Sequence, residues 1–267
     1  MASHGSWSSQ ESSYSSTGRE PSSSRTPLSS ENLAISPTSE RKRASKILRI
    51  LQSKLPIRAS DFASVLVAEE SHDPFRVLVV TILSQSCTDV AAIKAYRILD
   101  ERIGVTPRNL AHAQAKEIGE AIRVAGLQRQ KSIALRQLAR LVSEKYSNDI
   151  SHILRKSAEE ARDELQKLPK VGPKTADVLL SVYGKPTISV DTHVERVSKR
   201  LGLTSSKSNY ARIRLDLMQL FDVDDYGRIP LLFMAHGRRY CKARAPLCPT
   251  CPVGRLCPYP TKMVDQN

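Results

Sequence analysis

The sequence predicts an all-α protein, and three observations carry that prediction. Apolar residues recur at helical spacing, as in Ile47, Leu48, Ile50 and Leu51, and again in Ile133, Leu135, Leu138, Leu141 and Val142. Helix-start signals are frequent: Asp73-Pro74 and Thr106-Pro107 each set a capping side chain before a proline suited to the first helical position. Alternating apolar and polar runs bounded by turns, the mark of half-buried strands, are nearly absent.

Taken in chain order, residues 1–40 come first. They hold fifteen serines, few aliphatic residues and a slight acidic excess. Such a segment buries too little surface to offset its ordering entropy, so a disordered tail is expected. From Arg41 the pattern turns helical, opening with the basic run Arg41-Lys42-Arg43. Later, Ser157 followed by Glu160 forms a capping box that opens a helix reaching to about Leu168.

Composition narrows the partner. The 267 residues carry 41 Lys and Arg against 27 Asp and Glu, a net charge of +14 that favours a polyanion. No apolar run approaches the ~18 residues that span a bilayer, and no signal-peptide core opens the chain. An intracellular protein without a membrane anchor is expected.

Two segments carry chemistry. Leu168-Pro-Lys-Val-Gly-Pro-Lys-Thr-Ala176 reads as a helix end, a tight hairpin at Gly172 and a new helix from Pro173. The free N–H groups of that helix start suit a DNA phosphate, a contact that positions without reading sequence. Lys174, expected to be partly buried in the first turn, is a candidate nucleophile, or else a plain surface lysine. Asp191, in Ser189-Val-Asp-Thr-His193, is most simply a helix N-cap. It is also the carboxylate that amine attack at a sugar carbon needs, to take a proton and to stabilise a cationic centre. The second segment is Cys241-x6-Cys248-x2-Cys251-x5-Cys257, with Cys87 standing apart. In an intracellular protein this clustering points to metal ligation, either a Cys₄ zinc site or a [4Fe–4S] cluster. Lys242 and Arg244 lie between the ligands and would face phosphates.

The hairpin, the Val-Asp-Thr-His segment and the cysteine spacing together resemble the endonuclease III branch of the helix-hairpin-helix DNA glycosylases, from about Pro74 to Cys257. The resemblance implies a two-lobed helix-hairpin-helix DNA glycosylase fold with damaged double-stranded DNA between the lobes. One lobe, 67–186, would be a six-helix barrel. The other would join an N-terminal helix within 41–66 to residues 187–267 and hold a [4Fe–4S] cluster on Cys241, Cys248, Cys251 and Cys257. Lys174 falls on the family's nucleophile and Asp191 on its essential aspartate. Branches that only remove a base lack a lysine there, so the resemblance implies a bifunctional glycosylase and lyase acting on oxidised pyrimidines. A monofunctional mismatch glycosylase and a non-catalytic DNA-binding iron–sulfur protein are the alternatives. Gln85 and Leu127 fall on or near the residues that fill the vacated base stack, with Gln85 one position off the usual pattern. Lys170, Gly172 and His193 are expected at the DNA. Lys170 replaces a usual glycine and is expected to avoid positive φ. A monomer is expected.

Overall fold

Helix boundaries follow the capping chemistry closely. The computed structural model describes residues 37–259, so the expected tail lies outside the described residues up to Ile35-Ser36. Its last four residues do not belong to a tail: α1 runs Pro37–Lys54. Proline at the first helical position is pre-organised, and Glu40 in the first turn accepts from Arg43 Nη2 at 2.7 Å.

The chain continues as α2 (Ala63–Ser71), α3 (Pro74–Leu83), α4 (Asp89–Arg102), α5 (Pro107–His112), α6 (Ala115–Ala121), α7 (Gln128–Tyr146), α8 (Ala158–Leu165) and α9 (Pro173–Val182). Asp73 caps α3 through Phe75 N at 2.9 Å, and Thr106 caps α5 through Asn109 N at 3.1 Å. Ser157 and Glu160 make the reciprocal capping box of α8, which stops at Leu165, three residues short of the expected end. Then follow α10 (Thr192–Arg200), α11 (Tyr210–Leu220) and α12 (Arg228–Arg239). Short 3₁₀ turns complete the order, and no strand occurs among the described residues. No described helix is long and apolar enough to cross a membrane.

Buried apolar side chains form two clusters. In the first, α3 is buried at every residue except Arg76, surrounded by Tyr96, Leu99, Leu110, Ile118, Leu135, Leu138, Leu165 and Leu179. Each large aliphatic side chain so buried contributes about 1.5–3 kcal/mol before entropy is charged against it. Eight described helices, α2 to α9, contribute to this lobe, α5 and α6 being short helices with their own starts. The second cluster sets Ala44, Ile47, Leu48 and Leu51 of α1 against Val194, Val197, Ile213, Leu217, Ile229 and Phe233. Ala63 and Val67 of α2 pack in the first cluster, so the changeover between lobes falls before Ala63, not at residue 67.

A buried polar network ties the lobes together. Asp177 on α9 is fully buried and accepts from Arg162 Nη2 at 2.6 Å, Thr187 Oγ1 at 2.8 Å and, on its other oxygen, Tyr210 Oη at 2.6 Å. Arg214 of α11 donates to Thr187 Oγ1 at 3.1 Å. Burial and the Asp177 carboxylate push the Tyr210 phenol far above its ordinary value. Arg162 and Arg214 also pair with Glu159, so losing Asp177 removes one of two anionic partners from each, at a cost of about 1–3 kcal/mol.

Candidate active site

The hairpin between α8 and α9 is built as a turn that places a helix N-terminus in solvent. Leu168 and Val171 are buried and anchor it, while Val171 N donates back to Leu168 O at 3.1 Å. Lys170 does not avoid positive φ: it adopts φ 61°, the left-handed region its glycine counterpart would favour. The turn therefore keeps its shape and the lysine bears the strain. Gly172 is extended, exposed and the N-cap of α9, with Pro173 at the first helical position.

Lys174 follows in the first turn and is exposed, not partly buried as expected. Asp191 is the N-cap of α10, and its Oδ1 accepts from His193 N at 2.9 Å and Val194 N at 2.7 Å. The capping role and the catalytic candidacy are compatible: the two amides use Oδ1 and hold the carboxylate in place, leaving Oδ2 for another partner. Lys174 and Asp191 line one cavity of about 610 Å³, together with Gln85, Ser86, Asp89, His193 and Arg238.

Gln85 donates its amide to Thr175 Oγ1 at 3.4 Å, so it lies along the cavity wall. The tip of its turn is Ser86, exposed and at φ 57°. Leu127 stands elsewhere, at φ 50° between Gly126 and α7 and 51% exposed. That exposure is inconsistent with a packed helix-cap contact. Lys242 and Arg244 are exposed on the cysteine loop, and neither they nor Lys170, Gly172 or Leu127 line the cavity.

His193 is linked to the cysteine loop. Arg196 Nη2 lies 3.0 Å from His193 Nδ1 and 3.2 Å from Gly237 O, while Arg196 Nε donates to Cys241 O at 2.9 Å. A guanidinium only donates, so Nδ1 accepts and the proton sits on Nε2. Burial lowers the His193 pKa; the charge of Asp191 opposes this, and those of Arg196, Arg238 and Lys174 reinforce it. A Cβ on Gly237 would come within 3.0 Å of the His193 ring, so only glycine lets α12 approach this closely. Arg238 forms an ion pair with Asp89, which also accepts from Ala63 N at 3.0 Å. These arginines sit in no motif, and sequence reasoning missed them.

The four clustered cysteines are free thiols and converge on one small cavity shared with Arg200, His236 and Tyr259. Arg200 organises the loop, donating to Lys242 O at 2.7 Å and Ala243 O at 3.1 Å. Cys257 Sγ lies 3.3 Å from Arg200 O, and Cys251 Sγ lies 3.8 Å from His236 Nε2. Burial drives His236 down to about 4, so the imidazole is neutral. Among the described residues no three ligating side chains gather tightly enough for one ion. Four cysteine sulfurs lining one cavity are nonetheless a donor set suited to a Cys₄ zinc site or to a [4Fe–4S] cluster. The donor set fits a cluster.

Comparison with known proteins decides the family. The HhH-GPD superfamily base excision DNA repair protein family matches residues 79–222. The chain belongs to this superfamily. Among curated HhH-GPD relatives, endonuclease III of Sulfolobus acidocaldarius is 33% identical, covering 81% of this chain and 96% of that protein. Endonuclease III of Thermotoga maritima is 37% identical over 70% of this chain and 84% of that protein. A trapped covalent endonuclease III–DNA intermediate has a similar structure, at TM-score 0.69 and 31% identity, covering 86% and 99% of the two chains. A thermostable thymine-DNA glycosylase reaches TM-score 0.69 at 26% identity, covering 84% and 98%.

Proposed function

We propose that this protein is a bifunctional DNA glycosylase and AP lyase of base excision repair, acting on oxidised pyrimidines in double-stranded DNA. The observation that carries the reading is the opening of Lys174 and Asp191, each fixed by a helix N-terminus, into one cavity. The similarity to a trapped covalent endonuclease III–DNA intermediate supports a covalent route.

The damaged nucleotide swings out of the duplex at a cost of a few kcal/mol, least for a weakened pair. Phosphates flanking it meet the free amides at the start of α9, with Lys170 adding charge. The Lys174 nitrogen attacks C1′, its lone pair forming the new bond as the C1′–base bond breaks. The base leaves with the bonding pair and takes a proton from water. Asp191 stabilises the positive charge developing on the sugar and takes the proton shed by the attacking nitrogen. The C1′–O4′ bond then breaks, O4′ takes the proton held by Asp191, and the nitrogen lone pair completes a Schiff base on Lys174. Its electron withdrawal acidifies C2′, loss of that proton expels the 3′ phosphate, and the strand is cut by β-elimination. Water then releases the amine. The Nε2–H of His193 is a donor available to a phosphate or sugar oxygen, and Leu127 fills the gap left in the stack.

Cys241, Cys248, Cys251 and Cys257 would hold a [4Fe–4S] cluster, whose contribution is to order the loop bearing Lys242 and Arg244 against the backbone. The protein acts as a monomer associated with DNA inside the cell.

Borohydride trapping on a duplex with one abasic site tests the lysine. Wild type is expected to form a covalent adduct, and Lys174→Gln to form none while still binding the duplex. Adduct formation by the variant would refute the assignment of Lys174. Base release without strand cleavage by wild type would favour a monofunctional enzyme, in line with the similarity to a thymine-DNA glycosylase.

A further inference from the structure

One buried cation has no part in the chemistry above. Lys131 on α7 is 4% exposed, yet none of its hydrogen-bond partners is a carboxylate. Its Nζ donates to Leu83 O at 2.7 Å and to Ala125 O at 2.8 Å, and lies 4.0 Å from Cys87 Sγ. The two carbonyls belong to different turns. Leu83 ends α3 and begins the turn that carries Gln85 and Ser86; Ala125 belongs to the turn that carries Leu127. Lys131 also donates its own backbone N–H to Leu127 O at 3.0 Å, so one residue grips the second turn from two sides.

Both turns need holding. Each has a non-glycine residue in the left-handed region, Ser86 at φ 57° and Leu127 at φ 50°, and each presents that residue to solvent. Such conformations persist only where surrounding contacts enforce them. Simple core filling does not explain a lysine here, since methionine would fill the same space without the cost of desolvating an amine. What the amine supplies is a shared donor group for two carbonyls at turn ends: Ala125 O, and Leu83 O at the negative end of α3, which also accepts from Cys87 Sγ at 3.0 Å. Burial lowers the Lys131 pKa, but a neutral amine still has two N–H groups for these two acceptors.

We infer that Lys131 is a positioning residue for strand invasion, a single nitrogen that fixes the Gln85–Ser86 turn and the Leu127 turn relative to each other so that both enter the duplex in register. The inference rests on the glycosylase reading above, and it concerns extrusion of the base rather than bond breaking.

The test separates those two steps under single-turnover conditions. One substrate is a duplex with thymine glycol opposite adenine, which must be unstacked. The other is the same duplex with a pre-formed abasic site, which has no base to extrude. Lys131→Met is expected to slow excision of the paired lesion at least tenfold while changing cleavage of the abasic site less than threefold. The rise in 2-aminopurine fluorescence beside the lesion, which reports unstacking, is expected to shrink in parallel. Leu127→Ala should slow excision similarly, and the double variant should be no slower than the slower single one. Lys131→Arg, which keeps paired donors, should recover most of the excision rate.

Equal slowing on both substrates, or an arginine variant as slow as methionine, would overturn the inference and leave Lys131 as scaffold. Excision by Lys131→Met at the wild-type rate would overturn it as well. Wild-type protein inert on both duplexes is a different result, because it removes the glycosylase reading itself.

Discussion

Lys170 offers the sharpest link between backbone and function. At φ 61° it occupies a conformation that costs an L-residue with a side chain about 1–2 kcal/mol. Glycine removes that cost but loses about 0.5–1 kcal/mol through its larger unfolded-state entropy. Lys170→Gly should therefore stabilise the fold by about 0.5–1 kcal/mol, raising the melting temperature by roughly 1–4 °C in a domain of this size. The same change deletes one cation from the hairpin. If that cation neutralises one phosphate, the slope of log K against log salt should flatten by about 0.9, with affinity near 0.1 M salt falling less than about tenfold. Thermal melts, and titration of a labelled duplex bearing an abasic analogue across a salt series, measure both effects. Lys170→Ala is the control: it loses the same charge but keeps the strain, so it should match the glycine variant in binding and not in stability. A glycine variant that melts below wild type would refute the strain argument. A loss of binding beyond tenfold with an unchanged salt slope would show that the lysine does more than neutralise a phosphate.

Four further outcomes follow from the same geometry. A Cβ at Gly172 would meet nothing within 4 Å and its φ is −88°, so Gly172→Ala should fold as well as wild type yet bind duplex more than tenfold more weakly; unchanged binding would mean no phosphate packs there. Asp177→Asn should cost about 1–3 kcal/mol in denaturant unfolding, because Arg162 and Arg214 keep their buried charges with Glu159 as the remaining anionic partner; a loss under about 0.5 kcal/mol would show the network to be dispensable. Cys251→Ser should lose visible iron–sulfur absorption and lower stability and DNA affinity together, and loss of the chemical step alone would contradict an organising role. His193 is held below its ordinary pKa chiefly by burial, so the unfolded chain takes up its proton first as pH falls. Its contribution to stability is complete above about pH 6.5 and declines as pH drops toward the depressed folded value. His193→Gln should flatten the stability–pH curve in that window, and a curve that superimposes on wild type would exclude the imidazole as its source.

How far the sequence could be read depended on the kind of interaction. Helix starts were legible because capping is local: Asp73, Thr106 and Ser157 each bond an amide two or three residues away. The helical stripes were legible for a similar reason, since three- and four-residue spacing reflects a face and not a partner. Lys174, Asp191 and the four cysteines stood out because they lie in short segments whose residue types have few other uses together. Local reasoning failed at Lys170, where avoidance of positive φ was expected. The anchoring of Leu168 and Val171 in the core outweighs a preference of one or two kcal/mol. It failed again at Pro37, where a serine-rich composition concealed a helix start.

The contacts that no segment announces are the polar ones between distant parts of the chain. Asp177 joins Arg162, Thr187 and Tyr210; Arg238 joins Asp89; Arg196 joins His193 to Cys241; Lys131 joins Leu83 to Ala125. Each is separated in sequence, and each touches an element that bears a candidate functional residue. Apolar packing alone tolerates small slides between helices, since many arrangements bury similar area. A hydrogen bond to a buried charge does not, because its energy falls steeply with distance and angle. The two apolar cores thus account for why the lobes fold, and the two of these ties that cross between them, Tyr210 to Asp177 and Arg238 to Asp89, account for why Lys174 on one lobe and Asp191 on the other open into the same cavity. The reaction proposed for a lysine and an aspartate spread over two lobes requires that alignment to hold to within about an ångström.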